Sequence, residues 1–299
     1  SPTGEQVGQR RQPPASPQFG HASSTWTGLL INSEDKITQS TNRLLEKYGR
    51  PVFTPSIRAS LMGVPDSTNS DLFHNWAKLP ISREQFAREL REEVHRQFQT
   101  CTPLPGAEKL LSNLNSARST CSGERIELAL ASSTKTHTFD LKMSRPETKK
   151  LLNIIPSERR VLGDDPRVGQ GRGKPAPDIY LVLWQALNST ADSGKPILPS
   201  ECLVFEDSVA GVEAGRTAGM RVIWVPHPDL AVEYEKRQRE VLAGRTGMIE
   251  IGDEWQIGEI DDGWDESIPS MDFFDDEKYG IGCTIVVELL SEIWSRAKE

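Results

Sequence analysis

Two patterns of hydrophobic positions divide the chain, and each predicts a different kind of structure. Between residues 35 and 100 the apolar positions recur with a helical period, as Ile37, Leu44 and Leu45 do on one face of the first segment. Further helices are predicted at residues 55–62, 71–76 and 82–98, the last with Ser82 as its N-cap. Because no strand pattern interrupts this stretch, we predict a small helical bundle.

From residue 106 onward, helical segments alternate with short apolar runs. The predicted strands lie at residues 126–131, 161–162, 202–205 and 222–225, and the helices between them at residues 107–114, 178–187 and 209–218. Strands that are apolar at consecutive positions are buried on both faces, which is typical of a parallel sheet covered by helices. The pattern therefore predicts an α/β fold, whose ligands bind at the carboxyl ends of the strands.

Both ends of the chain are polar. Residues 1–22 are rich in Pro, Gln, Ser and Gly without periodicity, so we expect a disordered tail. Residues 250–280 form an acidic extended segment with interleaved Trp and Phe. The favoured interpretation is a segment held on the core by its aromatic side chains, and the alternative is a surface that binds a protein partner. Residues 281–294 are predicted to pack back on the core.

Composition excludes several classes of function. The net charge of −8 argues against a nucleic-acid-binding protein. No apolar run reaches the roughly 18–20 residues that a membrane helix needs. The 4 cysteines are far apart and form no CxxC or Cys/His pattern, so we expect neither a zinc site nor a disulfide framework. A reducing, cytoplasmic location fits this cysteine usage best.

Hydroxyl side chains follow the strand predicted at residues 126–131. Ser132 and Ser133 come directly after it. A hydroxyl there can bind a phosphate oxygen together with the backbone N–H groups of the next helix. Taken alone, a simple helix cap explains these residues better.

A lysine is held in a constrained loop before the next helix. Lys174 lies in the run GRGKPAPD, between a glycine and a proline. Its point charge suits a phosphate group and a neighbouring carboxylate. A solvated surface lysine is the alternative, but this setting favours a functional role.

Two adjacent carboxylates end the strand predicted at residues 202–205. Glu206 and Asp207 are followed at once by the start of a helix. Mg²⁺ takes oxygen ligands and is often bound by one or two carboxylates. A helix cap made by Asp207 is the alternative, and the pairing favours a metal site.

In this order, Ser132, Lys174 and Glu206-Asp207 resemble motifs two, three and four of the haloacid dehalogenase (HAD) superfamily. The runs GKPAPDIY and FEDSVAGVEAGRTAGM are similar to a subgroup that contains sugar-phosphate phosphatases, phosphoglucomutases and pseudouridine-5′-phosphate phosphatases. The resemblance implies a Rossmann-like core with a parallel sheet, made of residues 23–34 and 106–299. It also implies a helical cap, residues 35–105, inserted after the first strand.

The same resemblance implies Mg²⁺-dependent hydrolysis of a small phosphorylated metabolite through an aspartyl-phosphate. Lys174, Ser132 and Ser133 are then expected to bind the phosphate group, and Glu206 and Asp207 to bind the metal. Arg58 resembles a cap residue that meets the substrate in this subgroup, although a solvated helix arginine is an equal alternative.

Motif one of the family, a strand that ends in Asp-x-Asp-Gly, is missing. The run GLLINSE at residues 28–34 resembles the sequence that follows it, which puts Thr25 at the nucleophile and Thr27 at the acid/base position. A threonine hydroxyl is neither ionised nor a proton shuttle near neutral pH. Residues 18–26 also lack the apolar run expected of the central strand, which in the family lies between the strands of motifs two and four.

Three hypotheses follow from the missing motif. The natural protein is an active phosphatase and these N-terminal residues are an artefact of the gene model or a splice form. Alternatively, the chain is a pseudophosphatase that binds a phosphorylated ligand in a regulatory or structural role. The third hypothesis is a structural subunit that docks through the acidic region at residues 250–280.

Overall fold

The computed structural model describes most of the chain between residues 22 and 289. The described ranges are 22–24, 27–62, 66–118, 123–191, 195–246, 258–275, 278–279 and 284–289. For residues 22–24, 27–28, 59, 62, 66–69 and 284–289 the description covers the backbone only. The predicted tail, except Ala22, and the predicted nucleophile position Thr25 lie outside these ranges. Every helix within them is too short or too polar to span a bilayer.

A seven-stranded sheet forms the centre of the molecule, and all its pairings are parallel. Its strands are β1 (Ala22–Ser24), β2 (Leu128–Ser132), β3 (Arg160–Val161), β4 (Cys202–Glu206), β5 (Arg221–Trp224), β6 (Asp265–Ser267) and β7 (Thr284–Leu289). The order across the sheet is β3-β2-β7-β4-β5-β6, and β1 pairs with β7. The predicted α/β fold with a parallel sheet is confirmed.

The central place in the sheet belongs to the last described strand. β7 pairs with β2 on one side and with β4 on the other, so that Val286 lies opposite both Ala129 and Val204. The sequence had predicted this place for a strand near the N-terminus, where β1 is only 3 residues long. The run TIVVEL of β7 has the apolar, β-branched character of a central strand, which residues 18–26 lack.

Helices cover the sheet and also form a separate block. The helices around the sheet are α1 (Thr27–Leu30), α6 (Ala107–Ser116), α7 (Thr136–Lys142), α8 (Pro146–Leu152), α9 (Asp178–Thr190), α10 (Val209–Thr217), α11 (Pro228–Glu233) and α12 (Gln238–Leu242). The helical block consists of α2 (Ser33–Lys47), α3 (Pro55–Met62), α4 (Asp66–Ala77) and α5 (Arg83–Phe98).

Successive side chains of the strands enter two different hydrophobic clusters. In β2, Leu128 and Leu130 pack into a cluster shared with α6, α7, α8 and the helical block. Ala129 and Ala131 pack into a second cluster, shared with α9, α10, α11 and α12. Because both faces of the strand are covered, the apolar residues are consecutive rather than alternating with polar ones.

Two chain segments join the helical block to the sheet, and they lie side by side. The amide N–H of Asn32 donates to the carbonyl of Thr102 at 3.1 Å, and that of Leu104 donates to the carbonyl of Leu30. The Asn32 side chain accepts a hydrogen bond from the Thr102 amide at 2.9 Å. These bonds fix the point where α2 begins and where the chain returns from α5.

The predicted helical bundle agrees closely with α2 to α5. The helix predicted at residues 55–62 is α3, and the one predicted at residues 71–76 is the longer α4. Ser82 is the N-cap of α5, and its hydroxyl accepts a hydrogen bond from the Gln85 amide at 3.1 Å. In a capping box, the Gln85 side chain would also accept a hydrogen bond from the Ser82 amide. Here it donates to Tyr48 and Glu89, and the hydrogen bonds of the described residues do not include one from the Ser82 amide.

Much of the acidic segment packs on the sheet. Within residues 258–275, β6 extends the sheet beside β5, and the Phe274 ring meets that of Phe205 at a centroid distance of 4.8 Å. Ile268 is buried, and Asp262 pairs with the buried Arg216. Strand pairing, one aromatic contact and one ion pair hold these residues on the core, while Phe273 is 66% exposed, and the partner-binding alternative stays a prediction.

Candidate functional site

The predicted site residues meet at one edge of the sheet. Ser132 is the last residue of β2, and Glu206 is the last residue of β4. Both strands flank β7 and run in parallel, so their carboxyl ends lie at the same edge. Asp207 follows Glu206 directly, and Lys174 reaches Glu206 from the loop before α9. The structure therefore brings these four residues into one region.

A buried ion pair links the loop to the sheet. The Lys174 Nζ lies 2.8 Å from Glu206 Oε1, and the two side chains are 4% and 0% exposed. Burial lowers the pKa of Lys174 and raises that of Glu206, and the neighbouring Asp207 carboxylate opposes the first shift and adds to the second. Burial thus disfavours the charge of both groups, and their direct contact offsets that cost.

Protein donors occupy both oxygens of the Glu206 carboxylate. The Tyr180 hydroxyl donates to Oε1, which Lys174 also contacts. The amide and the hydroxyl of Ser208 donate to Oε2 at 3.3 and 3.1 Å. Glu206 would have to exchange one of these partners in order to bind a metal ion.

Local sequence explains why the carboxylate can lie so close to α10. The Ser208 hydroxyl caps this helix by accepting a hydrogen bond from the Gly211 amide at 3.0 Å. A Cβ atom added at Gly211 would lie 1.9 Å from the Glu206 carboxyl carbon. Glycine at this position therefore leaves the space that the carboxylate fills.

The Asp207 carboxylate differs from that of Glu206, because one of its oxygens is open. The residue is 6% exposed, and Oδ1 is buried without a hydrogen-bond partner. Burial, followed by the charge of Glu34, raises the pKa of Asp207 to about 7, while Lys174 opposes the shift. A buried, unpaired carboxylate oxygen is costly, and a cation or a proton relieves the cost.

The loop after β2 is well ordered by its own hydrogen bonds. The Ser132 hydroxyl accepts a hydrogen bond from the Thr134 amide at 3.0 Å, as in a simple serine turn. Ser132 is fully buried, whereas Ser133 is half-buried. A Cβ atom at Gly163 would lie 2.0 Å from the Ser133 carbonyl oxygen, so the chain after β3 packs directly on this loop.

Arg58 extends from the helical block towards the same region. Its side chain is 15% exposed and lies 3.6 Å from the Asp35 carboxylate. Its Nε and Nη2 atoms are buried without hydrogen-bond partners. Burial lowers the pKa of His227, and the Arg58 charge lowers it further. Burial raises the pKa of Glu34, and the Arg58 charge opposes that rise. Arg58 is thus a half-buried cation, two of whose donor atoms are buried and open, and not a fully solvated helix arginine.

The structure adds three residues that the sequence did not indicate. Tyr180 donates to Glu206, and Glu34 interacts electrostatically with Asp207. Lys142 is fully buried, donates to the Thr134 hydroxyl at 3.1 Å and lies over the Phe98 ring at 4.6 Å. Tyr180 is near the start of α9 on its apolar face, a signal that was present in the sequence. Glu34 and Lys142 resemble ordinary polar helix residues and gave no such signal.

The predicted metal site is incomplete in the described residues. No cluster of three or more His, Cys, Asp or Glu suited to a metal ion occurs among them. Asp207 fits a Mg²⁺ ligand, because its open oxygen is the donor type that Mg²⁺ prefers. Thr27 is the first residue of α1, and the proposal that it and Thr25 replace two aspartates stays a prediction.

Comparison with known proteins decides the family. The model of the haloacid dehalogenase-like hydrolase family matches residues 27–225. The chain belongs to the haloacid dehalogenase-like hydrolases. The match starts at Thr27, so the position of Thr25 precedes it.

Two relatives of this hydrolase carry the names of phosphatases. It is 36% identical to a probable pseudouridine-5′-phosphatase of Saccharomyces cerevisiae, over 74% of this chain and 88% of the relative. It is 34% identical to the mitochondrial (DL)-glycerol-3-phosphatase 1 of Arabidopsis thaliana, over 72% of this chain and 67% of the relative.

Its fold also matches a solved structure of the same superfamily. That structure is a conserved haloacid dehalogenase-like protein of Agrobacterium tumefaciens, with a TM-score of 0.58. The match covers 85% of this chain and 94% of that chain at 20% identity. The agreement supports the Rossmann-like architecture of the core.

Proposed function

We propose that this HAD-like hydrolase binds a small phosphorylated metabolite between the sheet and the helical block, which acts as its cap. The observation that carries the proposal is the Arg58 guanidinium, whose Nε and Nη2 atoms are buried and have no hydrogen-bond partner. Buried donors of this kind are normally satisfied, and a phosphate group is a strong acceptor for them. Burial raises the pKa of Glu34, and the Arg58 charge opposes that rise; burial likewise raises the pKa of Asp207, and the Glu34 charge raises it further. The Lys174 charge also acts on the pKa of Asp207, which connects Arg58 and Lys174 in one charged region.

Hydrolysis of a phosphomonoester is the reaction that we propose for the ancestral site. The relatives named for pseudouridine 5′-phosphate and glycerol 3-phosphate support a small phosphorylated substrate. Cytoplasmic location is part of the proposal, and the free, buried thiol of Cys101 supports a reducing compartment.

The proposed roles follow the geometry. Lys174 and the Ser132 hydroxyl bind phosphoryl oxygens, and Glu206 positions Lys174 through their 2.8 Å contact. Asp207 holds Mg²⁺ with its open oxygen. When bound, Mg²⁺ supplies positive charge that stabilises the developing charge on the phosphoryl oxygens.

A second candidate is a pseudophosphatase that binds the phosphorylated ligand but hydrolyses it slowly or not at all. The observation that favours it is the threonine at both motif-one positions, Thr25 and Thr27. Loss of a covalent nucleophile commonly lowers the rate by several orders of magnitude, while binding groups elsewhere still act.

Calorimetric titration with inorganic phosphate in the presence of Mg²⁺ tests the proposed binding. Arg58→Gln should weaken phosphate binding by about tenfold or more, because a charge-assisted hydrogen bond is lost. Arg88→Gln is the matched control, since Arg88 lies exposed on α5. Equal affinity of both variants and the unmodified chain would contradict the assignment of Arg58, and absence of binding in all of them would contradict the proposed function.

A further inference from the structure

Lys142 is a buried cation outside the motifs that the sequence analysis identified. It is the last residue of α7 and is only 1% exposed. Side chains of a helix tilt towards its N-terminus, and α7 is roughly two turns long, so a long side chain at its end can extend back towards the preceding loop. The Lys142 Nζ atom reaches that loop and donates to the Thr134 hydroxyl at 3.1 Å.

Thr134 connects Lys142 to the hydroxyl that is proposed to bind phosphate. The Thr134 amide donates to the Ser132 hydroxyl at 3.0 Å, and the Thr134 carbonyl accepts a hydrogen bond from the Gly163 amide at 2.9 Å. With the bond from Lys142, three hydrogen bonds fix this fully buried threonine. A hydroxyl that accepts one hydrogen bond, as that of Ser132 does, can donate its proton to another group such as a phosphoryl oxygen.

The helical block fixes the ammonium group from the other side. The Lys142 Nζ atom lies 4.6 Å from the centroid of the Phe98 ring, which is a cation–π contact. Phe98 is the last residue of α5 and is fully buried. Lys142 therefore lies where the helical block meets the core, between an aromatic ring of the block and the loop after β2.

A positive charge at this position is costly for folding. Removal of an ammonium group from water disfavours its charged form. Replacement of buried charged groups by apolar side chains of similar volume is often neutral or stabilising. Methionine would fill the space of the Lys142 side chain and pack well against Phe98. The charge is therefore better explained by a role in function than by a role in stability.

We propose that Lys142 is a positioning residue of the phosphate site, which acts through Thr134 to hold the Ser132 hydroxyl in the orientation that binds a phosphoryl oxygen. The inference rests on the proposed function, which assigns Ser132 to the phosphate group, and it adds a residue that belongs to none of the motifs. Lys142 acts through the loop and not by contact with the ligand. The Thr134 hydroxyl is consequently needed for phosphate binding as much as Lys142 is.

Calorimetric titration with inorganic phosphate in the presence of Mg²⁺ tests this chain of contacts. Lys142→Met and Thr134→Val should each weaken phosphate binding by about tenfold, because each removes the same charge-assisted hydrogen bond. Thr134→Ser keeps the hydroxyl and should retain the affinity. The double variant Lys142→Met, Thr134→Val should bind no more weakly than the weaker single variant, and additive losses would overturn the proposed relay.

His137→Asn is the matched control for the contact between α7 and the helical block. His137 is exposed on α7, and its ring lies 5.5 Å from that of His95 on α5, so this variant alters the same junction without touching Thr134. It should bind phosphate as the unmodified chain does. A loss equal to that of Lys142→Met would show that any loosening of the junction weakens binding, and would overturn the positioning role.

Urea unfolding of the same variants separates positioning from folding. Lys142→Met should keep or raise the urea midpoint, because an apolar side chain replaces a buried charge, although its phosphate binding is weakened. A fall in midpoint that parallels the loss of binding would indicate a structural role and overturn the proposal. If Lys142→Met does not fold, the Thr134 pair decides, and equal affinities of Thr134→Val and Thr134→Ser would overturn the role of this hydrogen bond.

The outcomes for the unmodified chain distinguish this inference from the proposed function. Absence of phosphate binding by the unmodified chain would contradict the proposed function itself. Phosphate binding of equal affinity in the unmodified chain and in Lys142→Met would leave the proposed function standing and overturn only the role of Lys142.

Discussion

Replacing Asp207 by asparagine is expected to stabilise the metal-free protein, and the gain should grow as the pH rises. Asp207 is 6% exposed, and its Oδ1 atom has no hydrogen-bond partner. Burial and the nearby Glu34 carboxylate raise its pKa from 3.8 to about 7. Asparagine keeps the shape of the side chain but cannot ionise, so the variant avoids the cost of a buried negative charge.

The sign and size of the effect follow from linkage. Since the pKa is higher in the folded state, the folded protein keeps its proton after the unfolded chain has lost it. The protonated group therefore stabilises the fold fully below the unfolded pKa of 3.8, and this stability is lost as the pH rises to about 7. A shift of this size corresponds to about 4 kcal/mol, of which about 3 kcal/mol is lost between about pH 5 and pH 8.

Urea unfolding in EDTA, at about pH 5 and about pH 8, measures this difference. The stability of the unmodified chain relative to Asp207→Asn should fall by about 3 kcal/mol between the two values. Asp140→Asn, at an exposed carboxylate on α7, is the control and should show no such pH-dependent difference. A constant difference between Asp207→Asn and the unmodified chain would refute the reasoning, because it would show that Asp207 is ionised throughout.

Further predictions concern single contacts. Gly211→Ala should destabilise the fold by about 1–3 kcal/mol in urea unfolding, because the added Cβ collides with the Glu206 carboxylate, and Gly173→Ala, which meets no atom within 4 Å, should not. Tyr180→Phe should cost about 1–2 kcal/mol, because a buried carboxylate loses a donor, and an unchanged urea midpoint would contradict that. Val286→Pro should abolish cooperative unfolding, since β7 is paired on both sides, whereas Val286→Thr should not.

Apolar runs along the chain were sufficient to predict most of the sheet. β2, β4 and β5 were predicted because their residues are buried on both faces, and this leaves a short unbroken hydrophobic run in the sequence. β6 was missed, since its residues Asp265–Ser267 are polar and pair along one edge only. The periodicity of the sequence did not predict that a C-terminal apolar run would form the central strand, because strand order depends on long-range pairing and not on the local pattern.

Site residues could be predicted where a constrained loop or the end of a strand determines where the side chain lies. Lys174 and Glu206 follow from a constrained loop and a strand end, and the structure joins them at 2.8 Å. Glu34 and Lys142 could not be found in this way, because the burial of the Glu34 Oε1 atom and of the Lys142 side chain results from long-range packing. Lys142 in particular has the sequence context of a solvated lysine but lies fully buried against Phe98.

The most direct test of the account compares phosphatase activity of the unmodified chain with that of the double variant Thr25→Asp, Thr27→Asp. Both are assayed on a generic aryl phosphate, with Mg²⁺ and with EDTA. The account predicts little or no turnover by the unmodified chain and Mg²⁺-dependent turnover by the double variant, because the binding groups Lys174, Ser132 and Asp207 are already in place. Turnover by the unmodified chain that EDTA abolishes would contradict the assignment of motif one, and no gain in the double variant would contradict the claim that the rest of the site is intact.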